Sequence, residues 1–313
     1  MVEIKQNIIL TFNVDYDKIV KYIQNIVYLA YLMRIENKSL VRYPNILKDN
    51  INQEENEFIL RMEEVDVYFK VTSNLVTDYF SYLEWFAYKT EPKSYEYYYT
   101  TQVYKTSPTS ILLISNFKYS KDINIPIECI NRERKRRINI YLNLTKNINQ
   151  KEMEKLNVEY ICINSSIELI WNILLNFKLV QKYVHFLGDK IEYKGKFLKK
   201  NLKIKVYLNN QLLTFIVNKC SLEFGEGKIE FLIENIFDQK IILLLVGREE
   251  NSVLYIFNVL KYSISEKDSL NLSNKKKGLL KKFKLIVENF INQKENQLIS
   301  NYINKKNNQM NIL

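Results

Sequence analysis

His185 is the only histidine among 313 residues. A multi-histidine metal centre is therefore excluded, and a Ser-His-Asp relay is not expected. As a lone general base His185 has no partner in the pattern, and its expected place is a surface or pocket-rim position at the end of a short helix. Cys129, Cys162 and Cys220 form no CxxC pair, which argues against a zinc site or a disulfide framework. Cys162 has no neighbouring basic residue in sequence and reads as a buried structural thiol. Acid–base dyads fare no better. In a strand Glu64 and Asp66 share a face while Glu63 points away, so this group reads as a solvated strand face. Glu249-Glu250 fits a hairpin tip. Gly225-Glu226-Gly227 is too short for a phosphate loop and reads as a turn. No catalytic motif, metal site or cofactor is expected.

Two groups of residues are suited to binding. Tyr95, Tyr97 and Tyr99 share one strand face, with Tyr98 opposite. Core packing or pocket lining is preferred there to base stacking. The other group is basic. Arg132, Arg134, Lys135, Arg136 and Arg137 form one run, and Lys275, Lys276, Lys277, Lys281, Lys282 and Lys284 form another. The net charge of +11 is uneven: residues 1–150 hold 20 basic and 18 acidic side chains, residues 151–313 hold 26 and 17. Two readings stand, a solvated helix face and docking to an anionic surface. At a membrane each basic group contributes about 1 kcal/mol. A membrane ranks ahead of nucleic acid, because the rest of the chain is near neutral and carries no nucleic-acid motif.

The elements that position these residues occur twice. Ile8 to Phe12 reads as a strand running into a helix capped by Asp15, with Ile19, Ile23, Ile26 and Ala30 at helical spacing. Residues 48–56 read as a loop. Val65, Val67, Phe69 and Val71 alternate with polar residues, as in a strand with one wet face. Strands over 79–88, 95–104 and 111–117 follow, separated by turns at Glu91-Pro92-Lys93 and Ser107-Pro108. A helix entered at Pro126 places Ile127, Ile130, Ile138 and Leu142 on its expected apolar side. In the second half, Tyr160 to Ile163 is the strand. Ser165 and Glu168 fit a capping box, and Ile167, Ile170, Trp171, Leu174 and Leu175 form a stripe. A short helix over 179–186 leads to a meander with a turn at Asn209-Asn210. A long helix from about Asn274 carries Leu279, Phe283, Ile286 and Phe290.

This order is α+β: an antiparallel sheet with helices gathered on one face. Length and an apolar content of 47% support two domains, 1–150 and 151–313, the second ending in a basic helix and a short polar tail. The N-terminus lacks a signal-peptide layout, and apolar runs such as Ile241 to Val246 are too short to span a bilayer. The expected location is cytoplasmic or peripheral to a membrane.

Tyr160-Ile161-Cys162-Ile163-Asn164-Ser165-Ser166-Ile167-Glu168-Leu169-Ile170-Trp171 resembles the opening strand, cap and first helix of the START-like superfamily, also called Bet v 1-like or polyketide-cyclase/lipid-transport proteins. Lys190 to Lys196 resembles the strand after the helix pair. The resemblance covers about residues 158–292. The first half is similar in element order but more divergent, with Val20 where Trp171 stands; its 125–131 segment looks like the entry to a START closing helix. The resemblance implies two tandem helix-grip domains, each a curved sheet around a closing helix with a hydrophobic pocket between. The expected function is binding, and by extension transfer, of a lipid-like ligand, with membrane contact through the basic helices. Leu279, Phe283, Ile286, Phe290 and Trp171 are expected to line one cavity, and Ile127, Ile130, Ile138 and Leu142 the other. Such a site occupies at least about 300 Å³. The alternatives are a protein-interaction module resembling the activators of the Hsp90 ATPase, a cyclase-type enzyme needing polar groups inside the cavity, and a nucleic-acid binder.

Overall fold

The computed structural model describes residues 3–36, 43–47, 57–62, 65–89, 96–120, 126–193, 195–208, 210–223, 225–234, 236–247 and 250–310. The 48–56 loop, Glu63 and Glu64, the 91–93 turn, Tyr95, the start of the 125–131 segment, Lys194, Asn209 and Glu249 lie outside them. Two compact units form. One is Met1–Val158 with Asn251–Val253 and Leu260–Ile264; the other is Glu159–Glu250 with Leu254–Val259 and Ser265–Leu313.

The first unit opens with strand β1 (Glu3–Phe12), followed by helices α1 (Tyr16–Ile23) and α2 (Ile26–Glu36). Asp15 caps α1, its carboxylate accepting the Lys18 N–H at 2.9 Å, which satisfies one of the free donors of the first turn. The apolar run from Ile19 to Ala30 divides between the two helices at Asn25, whose side-chain oxygen accepts the Val27 N–H at 3.0 Å. Strands β2 (Asn45–Ile46), β3 (Glu57–Met62), β4 (Val65–Val76), β5 (Phe80–Lys89), β6 (Glu96–Ser107) and β7 (Ser110–Ser120) precede α3 (Ile127–Asn149). The sheet order is β1-β7-β6-β5-β4-β3-β2, antiparallel throughout. Val67, Phe69 and Val71 are buried on one face of β4 as their alternation requires.

The second unit repeats the order: β8 (Leu156–Ile163), α4 (Ile167–Leu175), α5 (Phe177–Tyr183), β9 (Lys190–Glu192), β10 (Lys203–Leu208), β11 (Gln211–Glu223), β12 (Glu226–Ile233), β13 (Ile236–Gly247), β14 (Ser252–Val259) and α6 (Glu266–Met310). Its sheet runs β8-β14-β13-β12-β11-β10-β9. The two strand orders are the same, so the duplication extends to topology. Ser166, not Ser165, caps α4, accepting the Leu169 N–H at 3.3 Å. The capping pair expected at Ser165 and Glu168 is therefore out of phase by one residue. Asn210 and Gly225 adopt positive φ in the hairpin turns, which Asn tolerates and Gly takes without steric cost. Each domain is a helix grip, a seven-stranded antiparallel sheet closed by its C-terminal helix.

Candidate ligand-binding site

A cavity of about 110 Å³ lies in the first domain between the sheet and its helices. The sheet supplies Leu60 from β3, Phe69 from β4, Leu83 and Trp85 from β5, Tyr99 and Thr101 from β6, and Ser115 from β7. Successive strands present these residues because side chains on one face recur every second position. Ile23, Ile26 and Leu29 come from α1 and α2. From α3 come Glu133, Arg136, Arg137, Ile140 and Tyr141, spaced three and four apart along one helix face.

The polar atoms gather on one wall. Tyr141 OH donates to Ser115 Oγ at 3.3 Å and lies 3.0 Å from Thr101 Oγ1. Arg137 is only 5% exposed. Its Nη1 donates to Ser115 Oγ at 3.3 Å and its Nη2 to Gln6 Oε1 at 3.4 Å, while Gln6 Nε2 donates to the Ile130 carbonyl at 3.3 Å. The guanidinium also lies 5.1 Å from the Phe117 ring centre, within cation–π range. Burial lowers the Arg137 pKa, because the charged form loses hydration. Burial likewise raises the Tyr99 phenol well above its usual range, and Glu133 adds to that rise. Arg136 and Glu133, both partly exposed, pair at 3.6 Å one turn apart; they form the solvent edge of the lining.

Several expected lining residues sit elsewhere. Ile127 is 60% and Leu142 48% exposed. Ile138 is half-buried, and Ile130 packs on Phe117 and Tyr119 in a small cluster with Tyr97 and Tyr99. The cavity-facing stripe of α3 is rotated from the expected one, because it mixes Arg, Glu and Tyr with one Ile. Arg137, expected on an anionic surface, is inside. Arg136 is at the cavity edge, and Arg132, Arg134 and Lys135 are exposed. In the second domain Trp171 and Phe283 are buried in one core cluster, with Leu279, Ile286 and Phe290 packed against it. Lys276, also expected at the surface, is only 3% exposed. Burial lowers its ammonium to about 7, opposed by the nearby Glu159 carboxylate. Lys275, Lys277, Lys281 and Lys282 are exposed and Lys284 is half-buried. Cys162 is buried and outside any disulfide. His185 is half-buried with an unpartnered Nδ1 among the described residues. No group of three or more metal-ligating side chains occurs among the described residues, and no helix there is long and apolar enough to cross a membrane.

No family model matches the chain, and no curated protein matches it. Solved structures of similar fold include the di-domain ARO/CYC StfQ from the steffimycin biosynthetic pathway, 8% identical, covering 92% of this chain and 99% of its own, with a TM-score of 0.42. The di-domain ARO/CYC BexL from the BE-7585A biosynthetic pathway has the same identity and score and covers 92% of this chain and 98% of its own. Ara h 8.0201 is 13% identical and covers 48% of this chain and 99% of its own, with a TM-score of 0.39. Both domains are helix grips, each a seven-stranded sheet closed by its C-terminal helix, written in tandem.

Proposed function

We propose that the first domain binds a small apolar ligand in the cavity between its sheet and α3. The supporting observation is the composition of the lining: ten aliphatic or aromatic side chains, two of them tyrosines, form most of it, and the hydroxyls of Tyr141, Thr101 and Ser115 meet the Arg137 guanidinium. Concave apolar surface with few convergent polar groups is the common form of a small-molecule site. Volume narrows the ligand class. About 110 Å³ is near the roughly 150 Å³ that accepts benzene and below the roughly 300 Å³ of ordinary sites. The lipid-like ligand expected from the resemblance is thus reduced to a ring or a short chain. In this reading residues 1–150 are the binding domain, and residues 151–313 are a second START-like domain whose Trp171 and Phe283 serve as core.

Contact with an anionic membrane is the second part of the proposal, and transfer of the ligand between membranes would follow from the two together. It is supported by exposed Arg132, Arg134 and Lys135 on α3 and exposed Lys275, Lys277, Lys281 and Lys282 on α6. Ligand binding is tested by incubating the full chain with extracted lipids and small apolar molecules, then native mass spectrometry. A retained small ligand supports the reading, and an empty chain throughout contradicts it. Membrane contact is tested by sedimentation with phosphatidylserine vesicles. Salt-sensitive binding, weakened in Lys281→Glu/Lys282→Glu, is expected. Retention on DNA or RNA without vesicle binding would replace the membrane with nucleic acid.

A further inference from the structure

Arg137 is a buried cation on an apolar cavity; its hydrogen-bond partners are neutral, and the Glu133 carboxylate one turn away favours its charged form without contacting it. Among the described residues no carboxylate stands within ion-pair distance of it, and its Nε–H has no acceptor. The two hydrogen bonds it makes, to Ser115 Oγ and Gln6 Oε1, are long at 3.3 and 3.4 Å. A guanidinium carries five N–H donors, so most of its capacity is unused. A buried charge without a counter-charge is costly.

Beside it runs a chain of hydroxyls. With the Tyr141 proton on Ser115 Oγ at 3.3 Å, Thr101 donates across its 3.0 Å contact with Tyr141, in which either oxygen can be the donor. Ser115 Oγ then accepts from both Tyr141 and Arg137. Both lone pairs are occupied, and the Ser115 proton is left to donate outward. A guanidinium and a hydroxyl donor therefore converge on one wall. The other charged lining groups, Arg136 and Glu133, neutralise each other at 3.6 Å. The lining as a whole is left with one positive charge.

Resting on the reading that this cavity binds a small apolar ligand, we infer that the ligand is a monocarboxylate. Its carboxylate accepts from Arg137 and Ser115, and its ring or short chain lies against Trp85, Phe69 and Leu83. A planar carboxylate matches the fork of the guanidinium and supplies the contacting counter-charge that Glu133 does not.

Calorimetric titration of the full chain with matched pairs tests this: benzoate against benzyl alcohol, and hexanoate against 1-hexanol, at neutral pH. Each acid should bind at least tenfold more tightly than its alcohol. The preference should vanish as pH falls below about 4, where a carboxylate protonates. In Arg137→Met the ratio of the two affinities should collapse to within about threefold. If that variant fails to fold, the pH series on the parent chain gives the same discrimination. Equal or tighter binding of the alcohols would overturn the carboxylate assignment while leaving the cavity a binding site. Binding of none of the four would count against the cavity reading itself.

Discussion

Arg137 on α3 and Ser115 on β7 face each other with Nη1 and Oγ 3.3 Å apart. The pair ties the closing helix to the sheet and organises the polar wall of the cavity. Ser115→Ala would leave the Arg137 Nη1 donor without its acceptor, while Tyr141 could turn its proton to Thr101 Oγ1. Orphaning buried polar groups costs about 1–3 kcal/mol. Urea unfolding of the variant should show a loss of that order, and an unchanged midpoint would mean that Ser115 does not hold the wall together.

Filling the cavity should separate binding from stability. Ile140 projects into it from α3. Ile140→Phe adds volume where space already exists, so the melting temperature should hold or rise while affinity for any cavity ligand falls at least tenfold. Unaltered affinity in calorimetry would place the ligand elsewhere.

Gly227 gives the second domain a similarly local test. A Cβ at Gly227 would stand 2.6 Å from Trp171 Cε3. Gly227→Ala must push the indole off its seat between sheet and helix. Overpacking of this kind costs about 1–3 kcal/mol. The near-ultraviolet circular dichroism of Trp171 should change along with the unfolding midpoint.

Lys276 predicts a pH dependence. Its folded pKa of about 7 lies below the roughly 10.4 of an exposed lysine. Between those values the unfolded chain holds a proton that the folded chain has released. The contribution of Lys276 to stability therefore increases as pH rises through that window, and it is least favourable below pH 7. Glu159 keeps Ser273 and Lys277 as partners without it. Lys276→Met should be more stable than the parent at pH 7 by about 1–4 kcal/mol. The gap should narrow toward pH 10. Melting curves at the two pH values decide this, and a less stable variant at pH 7 would contradict it.

The sequence exposed the architecture well because architecture is written in apolar periodicity. The alternation of Val67, Phe69 and Val71, the Asp15 cap and the apolar spacing of α4 each reflect one local rule. The wall of the cavity follows no such rule. Glu133, Arg136, Arg137, Ile140 and Tyr141 do recur at three- and four-residue spacing, but four of the five are polar, titratable or both. A search for an apolar stripe passes over them and settles on Ile127 and Leu142, which are exposed. The basic run from Arg132 to Arg137 looked uniform in sequence. Helical geometry turns Arg137 inward while leaving Arg132 and Arg134 in solvent. Lys276 follows the same rule, turned inward between Lys275 and Lys277, which face water. Ser115 and Thr101 could be placed only after strand register had set them opposite Tyr141.

Trp85 and Trp171 are the only tryptophans, one lining the cavity and the other in the core of the second domain. That distribution allows the central claim to be tested by fluorescence. In Trp171→Phe, Trp85 is the sole reporter, and titration with benzoate or hexanoate should give a saturable change in its emission. In Trp85→Phe, where only Trp171 reports, the same titration should leave emission flat. A response from Trp171 alone, or from neither, would contradict a ligand site between the sheet and α3 of the first domain.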